Sequence, residues 1–496
     1  MTPETIALLP KPGESCWRIE QANRVAVIVD AEEYFRVARI AMMNAERRIM
    51  LIGWDFDARI RLGSAEEAPG VPQKVGPFIS WLVDRNPNLE VFLLRWDLGA
   101  LKLLFRGRTI FRFISWMWHR RIHTRLDSAH PTGASHHQKI VVIDDCFAFC
   151  GGIDMTDERW DTSAHRDDDP DRKGANGKPY KPWHDATTAL DGDAAAALGE
   201  HGRARWKSAG GAKLEPVSGV SATWPKELET QFRDVGVAIA RTAPEMPGSD
   251  AVLEVERLYL DQIARAERFI YAESQYFASR KIAVAIARRL DEPDGPEIVI
   301  VNPLSAQGWL EPIAMDSARA RLMKALRARD VHGRLKMYHP VTAAGEPIYV
   351  HAKILIVDDA VIRVGSSNMN NRSLRLDTEC DVTVDAGLPG NDGARETIAW
   401  VRDRLLAEHL GVEITTVSGA LAETRSLIAT IETLRGEGKT LCPYELPDLS
   451  KVEKWLADNE VLDPEGPQEM FEALSKRDLF RGLRRRWRGR RGGPVS

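Results

Sequence analysis

Two eight-residue stretches carry the same three chemically capable residues at the same spacing. HQKIVVID supplies His137, Lys139 and Asp144, and HAKILIVD supplies His351, Lys353 and Asp358. The histidines stand 214 residues apart, and so do the glycines that follow them, Gly151 and Gly365. One histidine beside one lysine carries little information, because most such residues are structural or solvated; two matching sets in register point to function. Two imidazoles and two ammonium groups are equipment for opening a phosphodiester. That reaction needs a nucleophile, an acid for the departing alkoxide, and positive charge for the phosphoryl oxygens. An imidazole with an unperturbed pKa of about 6.5 can be neutral or protonated at working pH, so one histidine can attack phosphorus while the other protonates the leaving group. The lysines then hold the equatorial oxygens. No metal cofactor is required by this scheme, and no metal-binding carboxylate cluster accompanies the motifs.

The elements that must position these groups follow from the local pattern. Each motif's apolar run ends in an aspartate pair, Asp144 and Asp145 or Asp358 and Asp359, as a strand does on entering a tight turn. Residues two apart on a strand share a face, so each His and Lys point the same way, whereas Asp144 and Asp358 fall at the turn in a structural or indirect role. A second strand then leads to Gly151, Gly152 and Asp154 in one half, and to Gly365, Ser366, Ser367 and Asn368 in the other. Gly152 and Gly365 let a substrate phosphate approach the backbone, and Ser366 and Asn368 offer hydrogen-bond donors to its oxygens.

The repeat reaches further, since NAERRIMLIGWDFDARIRL and ARAERFIYAESQYFASRKI have the same shape. Each half reads as helix, strand, helix, strand, with helices predicted over 30–47 and 317–328. The fold class expected is α/β: two similar α/β/α sandwich halves, mixed sheets flanked by helices, packed around a pseudo-twofold axis with one shared active-site cleft. The division predicted is a lead-in over 1–24, a first half over 25–215, a second over 216–425, and a C-terminal extension over 426–496. A polar stretch over 198–230 joins the halves.

Composition fits a globular chain of more than one unit: 496 residues, 44% hydrophobic, 28% charged. A net charge of −4 predicts no general attraction to polyanions. Five scattered cysteines form neither a disulfide framework nor a zinc pattern, which fits a reducing compartment. No signal peptide and no apolar run of about 18 residues occurs. The expected location is therefore cytoplasmic or peripheral to a membrane, the alternative being secretion by a route without a cleaved signal. The segment 161–183 reads as a surface loop. Its Asp167, Asp168, Asp169 and Asp171 offer oxygens to calcium, but their spacing is not that of an EF-hand, and a solvated loop is the preferred reading.

The paired HxKxxxxD motifs resemble the phospholipase D superfamily. So do GGIDMTDERWDT at 151–162, PWHDATTALDGDAA at 182–195, YAESQYF at 271–277 and GSSNMNNRSL at 365–374, which are similar to blocks of the eukaryotic-type phospholipases that act on phosphatidylcholine. The resemblance covers about residues 25–410. It implies hydrolysis of the distal phosphodiester to phosphatidic acid and a free headgroup through a phosphohistidine, with transphosphatidylation when an alcohol replaces water. By matching positions it implies His137 as nucleophile and His351 as acid and then base. It also implies a carboxylate behind each histidine, for which Asp185 in PWHD and Glu379 in LDTECD are the matches, reaching across from one half to the other. The plant enzymes carry an N-terminal calcium-dependent lipid-binding domain, whereas this chain begins almost directly at its first strand, so no cofactor is required by the resemblance and calcium stays an open possibility without a recognisable site.

The partner expected is a phospholipid at a membrane surface, met by a monomer, with no nucleic acid. LKLLFRGRTIFRFISWMWHRRIHTRL at 101–126 interleaves aromatics with arginines, and suits either an interfacial element with Trp116, Trp118, Arg120 and Arg121 at headgroup depth or a helix buried beneath snorkelling arginines. The basic stretch 476–491, with Trp487, suits either an anionic surface or a solubilising tail. GEGKT at 436–440 is no phosphate-binding loop, because Thr433 stands where its leading glycine must be. Alternatives that use or inherit the same motifs are a cardiolipin synthase-type phosphatidyltransferase, a nuclease, and a catalytically silent membrane-binding scaffold.

Overall fold

The computed structural model describes residues 8–64, 66–96, 115–116, 118–307 and 315–447. The first half holds β1 (Arg18–Val29), β2 (Arg48–Gly53), β3 (Glu90–Trp96), β4 (Ile122–Asp127), β5 (Ile140–Ile143), β6 (Phe147–Gly151), β7 (Trp183–His184) and β8 (Ala186–Asp191). The second holds β9 (Phe232–Ala243), β10 (Val252–Leu253), β11 (Phe269–Glu273), β12 (Glu297–Val301), β13 (Leu335–Val341), β14 (Tyr349–Val350), β15 (Ile354–Val357), β16 (Val361–Gly365), β17 (Glu379–Asp385) and β18 (Thr440–Pro443).

The motif strands β5, IVVI, and β15, ILIV, are β-branched and leucine runs buried along their whole length, as central strands covered on both faces require. Each forms an antiparallel hairpin with the next strand, Ile143 facing Phe147 and Val357 facing Val361. The expected α/β class is observed, with one difference. The two sheets do not merely pack. They fuse, because β1 and β9 pair antiparallel from Arg18 opposite Ile239 to Val25 opposite Phe232. The order β4-β3-β2-β5-β6-β8-β1 continues directly into β9-β17-β16-β15-β11-β12-β13-β18, each half reversing the order of the other.

Helices close both faces. On one side lie α1 (Ala31–Met43) and α2 (Val75–Arg85) over the first half, and α4 (Glu254–Ala264), α5 (Arg280–Asp291) and α6 (Ser317–Arg329) over the second. On the other side α3 (Asp193–Ser208) and α7 (Ala394–Leu410), with α8 (Ile414–Thr424) and α9 (Leu427–Leu434), share one core that draws on strands of both halves. Four boundaries differ from expectation. The central strand starts at Arg18, inside the predicted lead-in. The helix predicted over 30–47 ends at Met43, and α3 continues to Ser208, into the predicted linker. The predicted extension begins with structure that belongs to the second half, since β18 pairs with β13 and Glu297 accepts the backbone N–H groups of Leu427 and Ile428.

The turn aspartates explain themselves here. Asp144 and Asp145 have φ of 52° and 55°, and Asp358 and Asp359 have 53° and 54°, a left-handed region that aspartate tolerates better than most residues. The Asp144 carboxylate accepts the N–H groups of Glu46, Arg47 and Arg48 at 2.7, 2.8 and 2.6 Å, tying its turn to the start of β2. Asp358 does the same for Glu267, Arg268 and Phe269 at the start of β11. Asp144→Ala leaves three N–H groups without that acceptor and should cost about 2–4 kcal/mol. Thermal unfolding should show a clearly lowered Tm; an unchanged Tm would contradict this role.

Candidate active site

The two motifs meet because each half clasps the other. The chain entering β15 runs parallel to β7, with Val350 opposite His184 and the His351 N–H donating to the His184 carbonyl at 2.7 Å. Symmetrically, His136 bridges Thr378 in parallel and the His137 N–H donates to the Thr378 carbonyl at 3.0 Å. The residues after these acceptors are Asp185 and Glu379. His351 Nδ1 lies 2.6 Å from Asp185 Oδ2, and His137 Nδ1 lies 3.0 Å from Glu379 Oε1. Each imidazole is thus oriented by the opposite half. A carboxylate accepting at Nδ1 fixes the tautomer and leaves Nε2 as the atom available for chemistry.

The carboxylates are themselves fixed. Asp185 accepts the Ala186 N–H at 2.8 Å, and Glu379 accepts from the hydroxyls of Ser366 and Ser373. Burial pushes both acids above the usual carboxylate range, the lysines opposing it. Burial also holds His137 and His351 well below the usual imidazole value, helped at His137 by Lys139 and Lys353 and at His351 by Lys353 and Arg159. Both lysines curl back onto the motif, Lys139 Nζ donating to the His137 carbonyl at 2.7 Å and Lys353 Nζ to that of His351.

The lysines are not equivalent. Lys139 pairs with Asp154 at 3.2 Å, whereas the repeat puts the neutral Asn368 at the position that corresponds to Asp154. Lys353 is pushed down to about 7, first by burial, with Lys139 adding repulsion against the opposing pull of Asp185. Aromatic rings wall the two sides: Trp54 approaches His137 and stacks on Trp96, and Trp183 lies between His351 and Tyr349 with Arg159 over its face. Asp154, Arg159, Ser373 and the tryptophans were not assigned from sequence. Asp154 carried a signal, since it stands 214 residues before Asn368; Arg159, Trp183 and Ser373 lie inside the quoted blocks but had no role readable from sequence, and Trp54 and Trp96 come from segments that only the fold brings near.

Several predicted contacts are placed differently. Ser366 Oγ donates to Glu379 and accepts the Cys380 N–H, so it props the acid behind His137 and is not free for a phosphate. Gly152 is small because a Cβ there would lie 2.2 Å from Asp185 Oδ1, and Gly365 because one would meet Asp381; protein carboxylates fill the space that was assigned to substrate. The amide of Asn368 reaches Gln275 at 3.5 Å, while its buried Oδ1 has no hydrogen bond. Trp116 is 1% exposed and donates to Ser80 Oγ at 3.1 Å, and Arg121 is tied to the carbonyls of Val83 and Asn86, which removes both from the predicted membrane face. Trp118, 85% exposed, and the exposed Arg120 remain on the surface. Trp487 lies outside the described residues. The loop over 161–183 is about half exposed and staked down by the buried Asp161, His165 and Arg172, and Asp167 accepts from the Thr342 hydroxyl and the Ala344 N–H across the halves.

A family model described as "Cardiolipin synthase, PLD-like domain" matches residues 259–400, which contain the second motif. Phospholipase D alpha 1 of Nicotiana tabacum is 24% identical over an alignment covering 75% of this chain and 63% of that protein; the enzyme of the same name from Carica papaya is 25% identical with the same coverage. Both matches extend well beyond that one half. Over most of its length the chain is similar to members of the phospholipase D superfamily. The chain spans somewhat under two thirds of the length of those curated relatives. Its fold is also similar to the crystal structure of phosphatidylserine synthase from Haemophilus influenzae Rd KW20, with a TM-score of 0.52 at 14% identity, covering 77% of this chain and 86% of that one.

The lysine field can be read directly. A positive charge nearby disfavours the protonated imidazole, so Lys353→Met should move the titrations of His137 and His351 upward, toward about 6.5. Imidazole NMR titration of the full chain checks this; unchanged or lowered midpoints would rule out the lysine as the cause.

Proposed function

We propose that the protein is a phospholipase D-type phosphodiesterase that cleaves the distal phosphodiester of a glycerophospholipid, phosphatidylcholine being the substrate class favoured by the relatives it resembles. The observation that carries this reading is the pair of histidines, each oriented at Nδ1 by a carboxylate from the opposite half. A phosphodiester anion held by Lys139 and Lys353 would offset the lysine charge and raise the imidazoles toward their ordinary range, allowing one to be protonated. His137 Nε2 then attacks phosphorus while the bond to the headgroup oxygen breaks, and that oxygen takes a proton from His351 Nε2. In the second step His351 removes a proton from water, the water oxygen bonds to phosphorus, and the phosphorus–nitrogen bond to His137 breaks. Phosphatidic acid and the free headgroup are released. No step calls on a metal ion.

A second reading concerns the acceptor. The model match described as a cardiolipin synthase domain favours an alcohol in place of water in the second step, giving phosphatidyl transfer through the same intermediate. Among the described residues no helix is long and apolar enough to cross a membrane. We assign bilayer contact to the exposed Trp118 and Arg120, with the enzyme acting as a peripheral monomer, on the composition of that surface.

Release of choline and phosphatidic acid from phosphatidylcholine vesicles containing ethanol tests the reading. Loss on the order of 10³-fold in His137→Ala and His351→Ala is expected, with phosphatidylethanol formed only by the parent protein. A substrate with a p-nitrophenolate leaving group needs no acid, so it should restore the first step to His351→Ala but not to His137→Ala. Restoration of the other variant would reverse the two roles. Cleavage of DNA with no lipid product would overturn the substrate.

A further inference from the structure

Next to Asp185, whose backbone N–H donates to Asp30 Oδ1 at 3.2 Å, four side chains converge that the chemistry above does not use. They are Asp30 at the end of β1, His165 in the long loop, His184 in β7, and Glu408 on α7. All four are buried, and each offers a ligand atom within 4.8 Å of the others. His165 Nε2 lies 3.1 Å from Glu408 Oε1 and 3.6 Å from Asp30 Oδ2; His184 Nδ1 lies 2.8 Å from Glu408 Oε1 and 3.3 Å from Asp30 Oδ1. With bonds of about 2.0–2.2 Å to nitrogen and oxygen, the edges of a tetrahedral zinc site are about 3.3–3.6 Å, close to this spacing.

Two further observations point to a cation. Each histidine has its other nitrogen against an outer carboxylate, His165 Nδ1 at 3.0 Å from Asp161 and His184 Nε2 at 2.7 Å from Glu273, the arrangement that turns the remaining imidazole lone pair toward a metal. Glu408 Oε2 is buried without a hydrogen bond, and His184 Nδ1 makes none of acceptable geometry despite its close neighbours. The nearby ammonium of Lys439 is directed to the Ser163 carbonyl. Two carboxylates sharing a closed pocket need positive charge to balance them, which either protonated His165 and His184 or a bound cation would supply.

We propose that Asp30, His165, His184 and Glu408 form a structural site for a tetrahedral divalent transition metal, zinc by donor set. Two imidazoles and two carboxylates suit zinc, and leave no open position for a reacting water; calcium would seek more oxygens. Three ligands come from the first half and one from the second, so the ion clamps the halves together. It also fixes β7, whose next residue is the acid behind His351.

The test is metal content of the full chain purified without a metal-chelating resin, then dialysed against zinc and freed of excess by gel filtration. About one zinc per chain is expected, with a lowered Tm after removal by a strong chelator. His165→Ala and Glu408→Ala should lower bound zinc by about tenfold or more, whereas Asp168→Ala in the exposed loop should not. Cobalt substituted into the unaltered protein should give the intense visible bands of a four-coordinate ion, a readout that stands if the variants fail to fold. Zinc below about one-tenth per chain after dialysis, a six-coordinate cobalt spectrum, or full retention in both variants would each overturn the site; the cluster would then be a network of charged histidines and acids.

Discussion

The arrangement depends on the backbone ladder between β1 and β9. Those strands fuse two half-sheets into one and set the register of one half against the other over seven residue pairs. A strand slip of two residues keeps every side chain on its face but moves the halves by about 7 Å. No histidine could then reach the carboxylate intended for it. Register here therefore decides chemistry as well as packing, and it is specified by burial on both sides: Val27 and Val29 belong to the shared core, and Ala26 and Ile28 to the core under α1.

Within that frame the two half-sites share a plan but not their details. Asp185 reaches His351 with a short side chain and needs Gly152 to stand aside, whereas Glu379 reaches His137 with a longer one and is propped by Ser366 and Ser373. Asp154 balances Lys139, and no charge balances Lys353 from the matching position. Such differences give two histidines of equal chemistry unequal surroundings, which is what the proposed acid and nucleophile would require.

Much of this was written locally in the sequence. The hairpins follow from β-branched runs ending in aspartate pairs, and the α/β class from alternation of helix and strand. What was not legible depends on contacts distant along the chain. Ser366 looks like a phosphate donor until Glu379 is seen beside it, and Trp116 in an arginine-rich stretch reads equally as interfacial or buried until Ser80 and Phe56 close around it. The pairing of β18 with β13 was hidden because four residues after a glycine-rich turn carry little pattern of their own. The cluster around His165 and His184 was hidden for the same reason, its members lying up to 378 positions apart, from Asp30 to Glu408.

The exchange of carboxylates between halves also has a meaning for descent. Two separate copies of a one-motif subunit, related by a true twofold axis, would have to carry the same residue at every matched position. One covalent chain is released from that rule. Glycine at 152 can stand opposite serine at 366, and aspartate at 154 opposite asparagine at 368, each free to drift toward a separate duty. Fusion thus lets a symmetric pair become unequal, while the crossed hydrogen bonds leave each histidine oriented by a carboxylate of the other half.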